Sequence, residues 1–89
     1  NLKSPVNAWQ YTGQNLSVIR NQFSAVCLHK GLDPKTMVMD ETTKGSFKIY
    51  FLETILEVKI GEFLALMPYN KIKVYTRDDF ETRFTVKID

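Results

Sequence analysis

The chain has 89 residues, of which 44% are hydrophobic and 25% charged, and its net charge is +2 at pH 7. These values predict one soluble globular domain, and they permit nucleic-acid contact without arguing for it. The lone cysteine, Cys27, excludes an internal disulfide and fits a reducing compartment. No apolar run approaches the ~20 residues of a membrane span. There is no signal-peptide start, and because the first residue is asparagine we expect a piece cut from a longer chain.

The first third of the chain is predicted to contain helices, and for one stretch a strand is an open alternative. Ser4 followed by Pro5 predicts a short helix over 5–9. A later set of apolar residues falls at helical spacing and predicts a helix that stops at Gly31. Its members are Leu16, Ile19, Phe23, Val26 and Cys27. The stretch 23–30 also fits a strand, so both interpretations stay open, although the pattern by itself favours the helix.

Two strands are predicted next, separated by turns. Residues 31–34 form a turn by composition, 36–40 a short strand, and 42–45 a second turn. The stretch 47–52 alternates and is rich in β-branched and aromatic residues, which predicts a strand with Phe47, Ile49 and Phe51 on one face.

The stretch 54–67 carries the clearest helical stripe in the chain. The stripe consists of Leu56, Ile60, Phe63, Leu64 and Met67. Thr54 and Glu57 fit a capping box, and Pro68 would end the helix. The predicted helix turns Leu64 toward a sheet and leaves Leu66 off the stripe, so Leu64→Ala should cost clearly more stability than the same change at Leu66.

The last part of the chain predicts a hairpin. Residues 71–76 read as a strand with Ile72 and Val74 inward, and 77–79 as a turn. Beyond it, residues 80–89 alternate strictly between apolar or threonine side chains and charged ones, with the single exception of Thr85. This alternation predicts a strand with one dry and one wet face.

Catalytic chemistry is weakly signalled. On a strand, Cys27 and His29 would share a face about 6–7 Å apart and could form a thiolate–imidazole pair. A lone cysteine is more often a small buried hydrophobe, and nothing nearby orients the histidine. No glycine-rich phosphate loop or metal-binding spacing is present. We therefore predict no enzyme activity, no cofactor and no metal.

Cations and aromatic residues interleave in a way that is typical of proteins that hold single-stranded RNA, although the same cations would be a normal solvated face in most small domains. The candidate RNA-binding residues are Trp9, Tyr11, Lys30, Lys35, Lys44, Lys48, Lys73 and Tyr75.

Two segments carry a family resemblance. Residues 9–14, Trp-Gln-Tyr-Thr-Gly-Gln, and residues 71–76, Lys-Ile-Lys-Val-Tyr-Thr, resemble segments of the C-terminal subdomain of the SARS-unique domain in non-structural protein 3 of betacoronaviruses. The intervening predicted elements follow in the family's order. The chain departs from the family by being longer between Gln14 and Phe23 and again at 32–34, so 15–22 could hold a helical turn of its own.

The resemblance implies an α+β, frataxin-like two-layer sandwich. In it an antiparallel sheet packs against a helix over about 55–67 and a short N-terminal helix. The resemblance also implies that 23–30 and 36–40 form a β-hairpin, in place of the helix that the apolar spacing favours. Residues 1–89 would form one domain, although 71–89 could instead begin the ubiquitin-like module that precedes a papain-like protease in this family.

The function implied is a non-catalytic accessory role in a viral replicase protein. Such a module would bind RNA weakly or modulate RNA binding by a neighbouring macrodomain-like subdomain. The alternative is a protein-interaction or spacer module without RNA contact. Partners would be single-stranded RNA, neighbouring domains of the polyprotein and replication-complex proteins, with no membrane insertion by this fragment. Its place would be the host cytoplasm, on the cytosolic face of membranes remodelled by the virus from the endoplasmic reticulum.

Overall fold

The computed structural model describes residues 7–84, and of Phe84 the backbone alone. The elements within that range mix strands with helices, so the fold class is α+β. In chain order they are β1 (Asn7–Gln10), α1 (Leu16–His29), a 3-10 helix (Pro34–Thr36), β2 (Val38–Glu41), β3 (Ser46–Phe51), β4 (Thr54–Lys59), β5 (Phe63–Met67), β6 (Lys71–Tyr75) and α2 (Arg77–Phe84).

The described strands form two antiparallel sheets of three strands each. Sheet A has the order β1-β5-β6, and sheet B has the order β2-β3-β4. The two sheets meet where β4 lies beside β6. Helix α1 joins the sheets from within, because the ring of Phe23 lies 5.3 Å from Trp9 of sheet A and 5.8 Å from Phe51 of sheet B.

Helix α1 confirms the helical pattern and contradicts the hairpin that the resemblance implied. Its buried side chains repeat at three- and four-residue intervals, as an amphipathic helix on a core requires. They are Leu16, Ile19, Phe23 and Cys27. The hairpin over 23–30 and 36–40 is therefore wrong, although part of its second strand survives as β2.

The predicted helix over 54–67 is wrong. Residues Thr54–Lys59 and Phe63–Met67 are strands β4 and β5, and the chain turns between them at Gly61, whose φ of +92° a helix does not accept. Val58, Leu64 and Leu66 all point into the core and are almost fully buried, although Leu66 lies off the predicted helical stripe. The helical spacing of residues 56, 60, 63 and 64 arises by chance, because these residues belong to two strands and the turn between them.

The predicted C-terminal strand is also wrong over the part of the chain that the structure describes. Residues Arg77–Phe84 form helix α2, and residues 85–89 lie outside the described range. Local bonds favour the helix: the Thr76 hydroxyl accepts the amide of Asp79 at 3.1 Å, and Arg77 pairs with Glu81 one turn later at 3.2 Å.

The short helix predicted over 5–9 fails for residues 7–9, which belong to β1, whereas residues 5 and 6 lie outside the described range. The strands predicted at 47–52 and 71–76 are confirmed as β3 and β6.

Candidate interaction surface

The aromatic residues predicted to stack on RNA are mostly engaged within the fold. Trp9 packs against Phe23, and its Nε1 donates to Oε1 of Gln22 at 2.9 Å. Tyr11 is 2% exposed and meets Phe47 edge-on at 4.8 Å. Burial first, and the nearby Glu41 carboxylate second, raise the pKa of Tyr11.

Tyr75, the third predicted aromatic, lies on the outer face of sheet A, which is the face turned away from α1. Its ring is half-buried, with the ring of Phe80 at 6.4 Å and the Arg83 guanidinium carbon 5.6 Å from its centroid. Helix α2 thus covers this aromatic side chain.

The predicted lysines are all exposed but do not form one cluster. Lys30 directly follows α1, Lys35 lies in the 3-10 helix and Lys73 lies in β6, so these three lysines belong to different elements. Lys48 lies directly across from Glu57 of β4, and the positive charges of Lys48 and Lys44 both lower the pKa of that carboxyl.

Glu57 organises a charged cluster on the outer face of sheet B. Its Oε2 accepts the hydroxyl of Ser46 at 2.6 Å. This hydrogen bond, and then the positive charges of Lys48, Lys59 and Lys44, hold the pKa of Glu57 below its usual range. Lys59 was not among the predicted residues, because the sequence pattern placed it in a helix.

Cys27 and His29 do not form a catalytic pair. On α1 they point in different directions, and Cys27 is completely buried whereas His29 is exposed. Burial raises the pKa of the Cys27 thiol, which outweighs the opposite effect of Lys30. A completely buried thiol with a raised pKa is typical of a cysteine that packs in a core.

An apolar row crosses all three strands of sheet B on its outer face. Val38 pairs with Tyr50, and Tyr50 pairs with Ile55, so the three side chains are direct cross-strand neighbours. They are 46%, 37% and 65% exposed respectively. The next row along the strands is charged and consists of Asp40, Lys48 and Glu57. The outer face of sheet B therefore places a contiguous apolar strip beside a rim of mixed charge.

Two grooves flank the β3–β4 turn at one end of the fold. The first, which we name the apolar groove, has a volume of about 530 Å³. Its lining residues are Thr36, Tyr50, Phe51, Leu52, Glu53, Thr54 and Ile55. The second, the lysine groove, has a volume of about 420 Å³. Its lining residues are Leu52, Thr54, Tyr69, Asn70, Lys71, Ile72 and Lys73.

The turn between these grooves has an unfavourable backbone. Phe51 pairs with Thr54, and the two residues between them, Leu52 and Glu53, have φ values of +52° and +60°. A two-residue hairpin needs such values, but asparagine and glycine normally supply them. Leu52 packs against the core, which explains its presence, whereas Glu53 is exposed. Strained backbone of this kind also recurs at active sites and ligand clamps, which makes the turn a candidate part of the site.

Val38, Tyr50 and Ile55 were not predicted as surface residues, for one reason. Their alignment depends on the register of three strands, and one of those strands was read as a helix. The alternation of Ile55, Glu57 and Lys59 against Leu56 and Val58 was the available signal.

Helices of membrane-spanning length and hydropathy are absent from the described residues. Between residues 7 and 84 the structure also brings together no group of three or more His, Cys, Asp or Glu side chains that could hold a metal ion. Comparisons with protein-family models, with curated proteins and with solved structures find no significant match to this chain.

Proposed function

We propose that the protein is a non-catalytic interaction module, and that it binds a protein partner through the outer face of sheet B and the adjoining apolar groove. The observation that supports this most is the apolar row of Val38, Tyr50 and Ile55, because contiguous exposed apolar side chains on a small domain mark contact surfaces.

The two sheets differ in a way that favours this surface. On sheet A, helix α2 lies over the outer face and stacks Phe80 on Phe63. On sheet B, the corresponding row stays exposed, and the groove beside it includes Tyr50 and Ile55. Aromatic and aliphatic anchors that adjoin a groove and have a charged rim are the usual composition of a protein-binding hot spot.

The test uses small apolar probes, since hot spots bind such molecules without the natural partner. Isotope-labelled protein is titrated with indole and with isobutanol, and amide shifts are followed by NMR. We expect the shifts to concentrate at Tyr50, Ile55 and Thr36. Ile55→Ser should abolish them, whereas Leu28→Ser should not, because Leu28 is equally exposed, at 67%, but lies on α1. Shifts spread evenly over the surface would contradict the proposal.

A second candidate is RNA binding on the same face, which a specific observation favours. Lys48 pairs with Glu57, Lys59 lies two residues further along β4, and Tyr50 lies two residues from Lys48 on the same side of β3. An exposed sheet with an aromatic ring and cations can stack a base and bind phosphates. Glu57 and Asp40 weaken this candidate, because they offset the positive charge.

RNA binding is tested with oligouridine in the same NMR experiment. RNA contact predicts shifts at Lys48 and Tyr50 that shrink as salt is raised, and a loss of binding in Lys48→Glu but not in Lys30→Glu. Absence of shifts at low salt would exclude it.

An accessory role in a viral replicase, in the host cytoplasm beside remodelled membranes, stays a prediction that rests on the resemblance. So does a frataxin-like arrangement, although the helix over 55–67 on which it depended is a pair of strands.

A further inference from the structure

The apolar groove and the lysine groove are neighbours with a common wall. Leu52 and Thr54 line both of them, so a ligand that leaves one groove across this wall enters the other. The two grooves differ in chemistry: Tyr50 and Ile55 face the first, whereas Lys71 and Lys73 face the second. A single ligand that fills both must combine an apolar group with an anionic one.

The charged residues that line the lysine groove are all positive. None of its lining residues is acidic, and neither lysine belongs to a salt bridge within the part of the chain that the structure describes. Tyr69 stands at its edge, 87% exposed at the tip of the β5–β6 hairpin. An anionic group in this groove would meet two ammonium groups and no opposing carboxylate.

We propose that the partner contributes an extended acidic peptide segment that lies across both grooves. One aliphatic or aromatic side chain of the segment fills the apolar groove against Tyr50 and Ile55. Carboxylates further along it contact Lys71 and Lys73. This proposal rests on the proposed function and adds the chemical class of the partner.

Glu53 determines which part of the segment can be acidic. It lines the apolar groove and not the lysine groove, so its exposed carboxylate disfavours acidic residues at the apolar end. The segment therefore carries its apolar residue at one end and its acidic residues at the other. A nucleic acid fits this pair of grooves less well, because its uniformly charged backbone would have to pass Glu53 and its bases would meet the aliphatic side chain of Ile55.

The experiment is a selection from a library of random linear peptides displayed on phage, with the wild-type protein as bait. We expect the enriched peptides to combine one large apolar residue with two or more acidic residues on one side of it. Their dissociation constants should rise at least about tenfold in the double variant Lys71→Glu/Lys73→Glu. They should stay unchanged in the matched control Lys30→Glu/Lys35→Glu, which alters the same number of charges elsewhere. Amide spectra establish that each variant is folded.

Several results would overturn the proposal. If the enriched peptides lack acidic residues, or bind the Lys71→Glu/Lys73→Glu variant with equal affinity, the preference for acidic segments is refuted, while the proposal of protein binding stands. If no peptide is enriched while indole and isobutanol still bind at Tyr50 and Ile55, the acidic peptide is refuted as the ligand, but the binding surface itself is retained. Displacement of every enriched peptide by oligouridine, with RNA shifts at Lys71 and Lys73, would assign the lysine groove to nucleic acid. Loss of probe binding altogether would instead count against the proposed function.

Discussion

The ring of Phe80 lies parallel to the ring of Phe63, with 4.1 Å between their centroids and 6° between their planes. This stack joins α2 to the outer face of sheet A. Because Phe80 is half-buried, Phe80→Ala should lower the free energy of unfolding by about 1–3 kcal/mol, which is less than a fully buried phenylalanine costs. Denaturant titration measures the change.

Thr82→Ala is the matched control on the same helix. Thr82 is exposed, so its substitution should change stability by no more than about 0.5 kcal/mol. Equal effects of the two changes would mean that the stack contributes nothing to the position of α2.

Glu53→Gly should stabilise the protein. Glycine adopts the positive φ of this position without steric cost, and the Glu53 side chain that would be lost is exposed. The expected gain is about 1 kcal/mol, read from the denaturation midpoint. Leu52→Gly should destabilise instead, because Leu52 packs against the core. A loss of stability in Glu53→Gly would show that its side chain has a structural role.

Leu64→Ala and Leu66→Ala should be about equally costly. Both side chains lie on the inner face of β5, 0% and 1% exposed, so each change should cost about 2–5 kcal/mol. The helical reading of this stretch predicts a much smaller cost at Leu66. Chemical denaturation distinguishes the two, and Leu28→Ala on the surface of α1 provides a neutral reference.

Ser46→Ala should move the pKa of Glu57 upward toward its ordinary value. The Ser46 hydroxyl is the largest cause of the lowered pKa, and the three lysines would remain as the smaller cause. NMR titration of the Glu57 side-chain carboxyl measures this shift.

The lowered pKa also has a consequence for stability. A carboxyl whose pKa is lower in the folded protein stabilises it above the pKa of the unfolded chain, and that contribution disappears as the pH falls through the folded pKa. Wild type should therefore lose stability below about pH 4.5, the ordinary pKa of the group, and Ser46→Ala should lose less over the same interval. A pKa of Glu57 that is unchanged by Ser46→Ala would contradict this account.

The local sequence pattern predicted the secondary structure correctly where one helix or one strand accounts for the whole pattern. The stripe from Leu16 to Cys27 predicted α1, and the alternation around Ile49 predicted β3, because each buries one face on a common core. It failed between Thr54 and Met67, where two short strands and a turn reproduce helical spacing. The chain turns at Gly61, whose positive φ a helix does not accept, and the helical spacing of the apolar residues conceals this turn.

The candidate surface was less predictable than the fold. Lys48 was identified from its charge, but its neighbours Tyr50 and Ile55 follow from strand register, which forms only when sheet B assembles. Trp9 and Tyr11 are residue types that often occur in binding sites, but here both pack against core phenylalanines. Composition does not specify which side of a strand faces inward.

The strand order also predicts a sequence of events in folding. Sheet B consists of consecutive hairpins, the tightest of which closes across two residues, whereas β1 finds its partner β5 more than fifty residues later. The entropy of closing the longer loop costs about 3 kcal/mol more. The meander from β2 to β4 can therefore assemble while β1 is still unpaired, and the binding face that it carries would form before the first strand of the chain is in place.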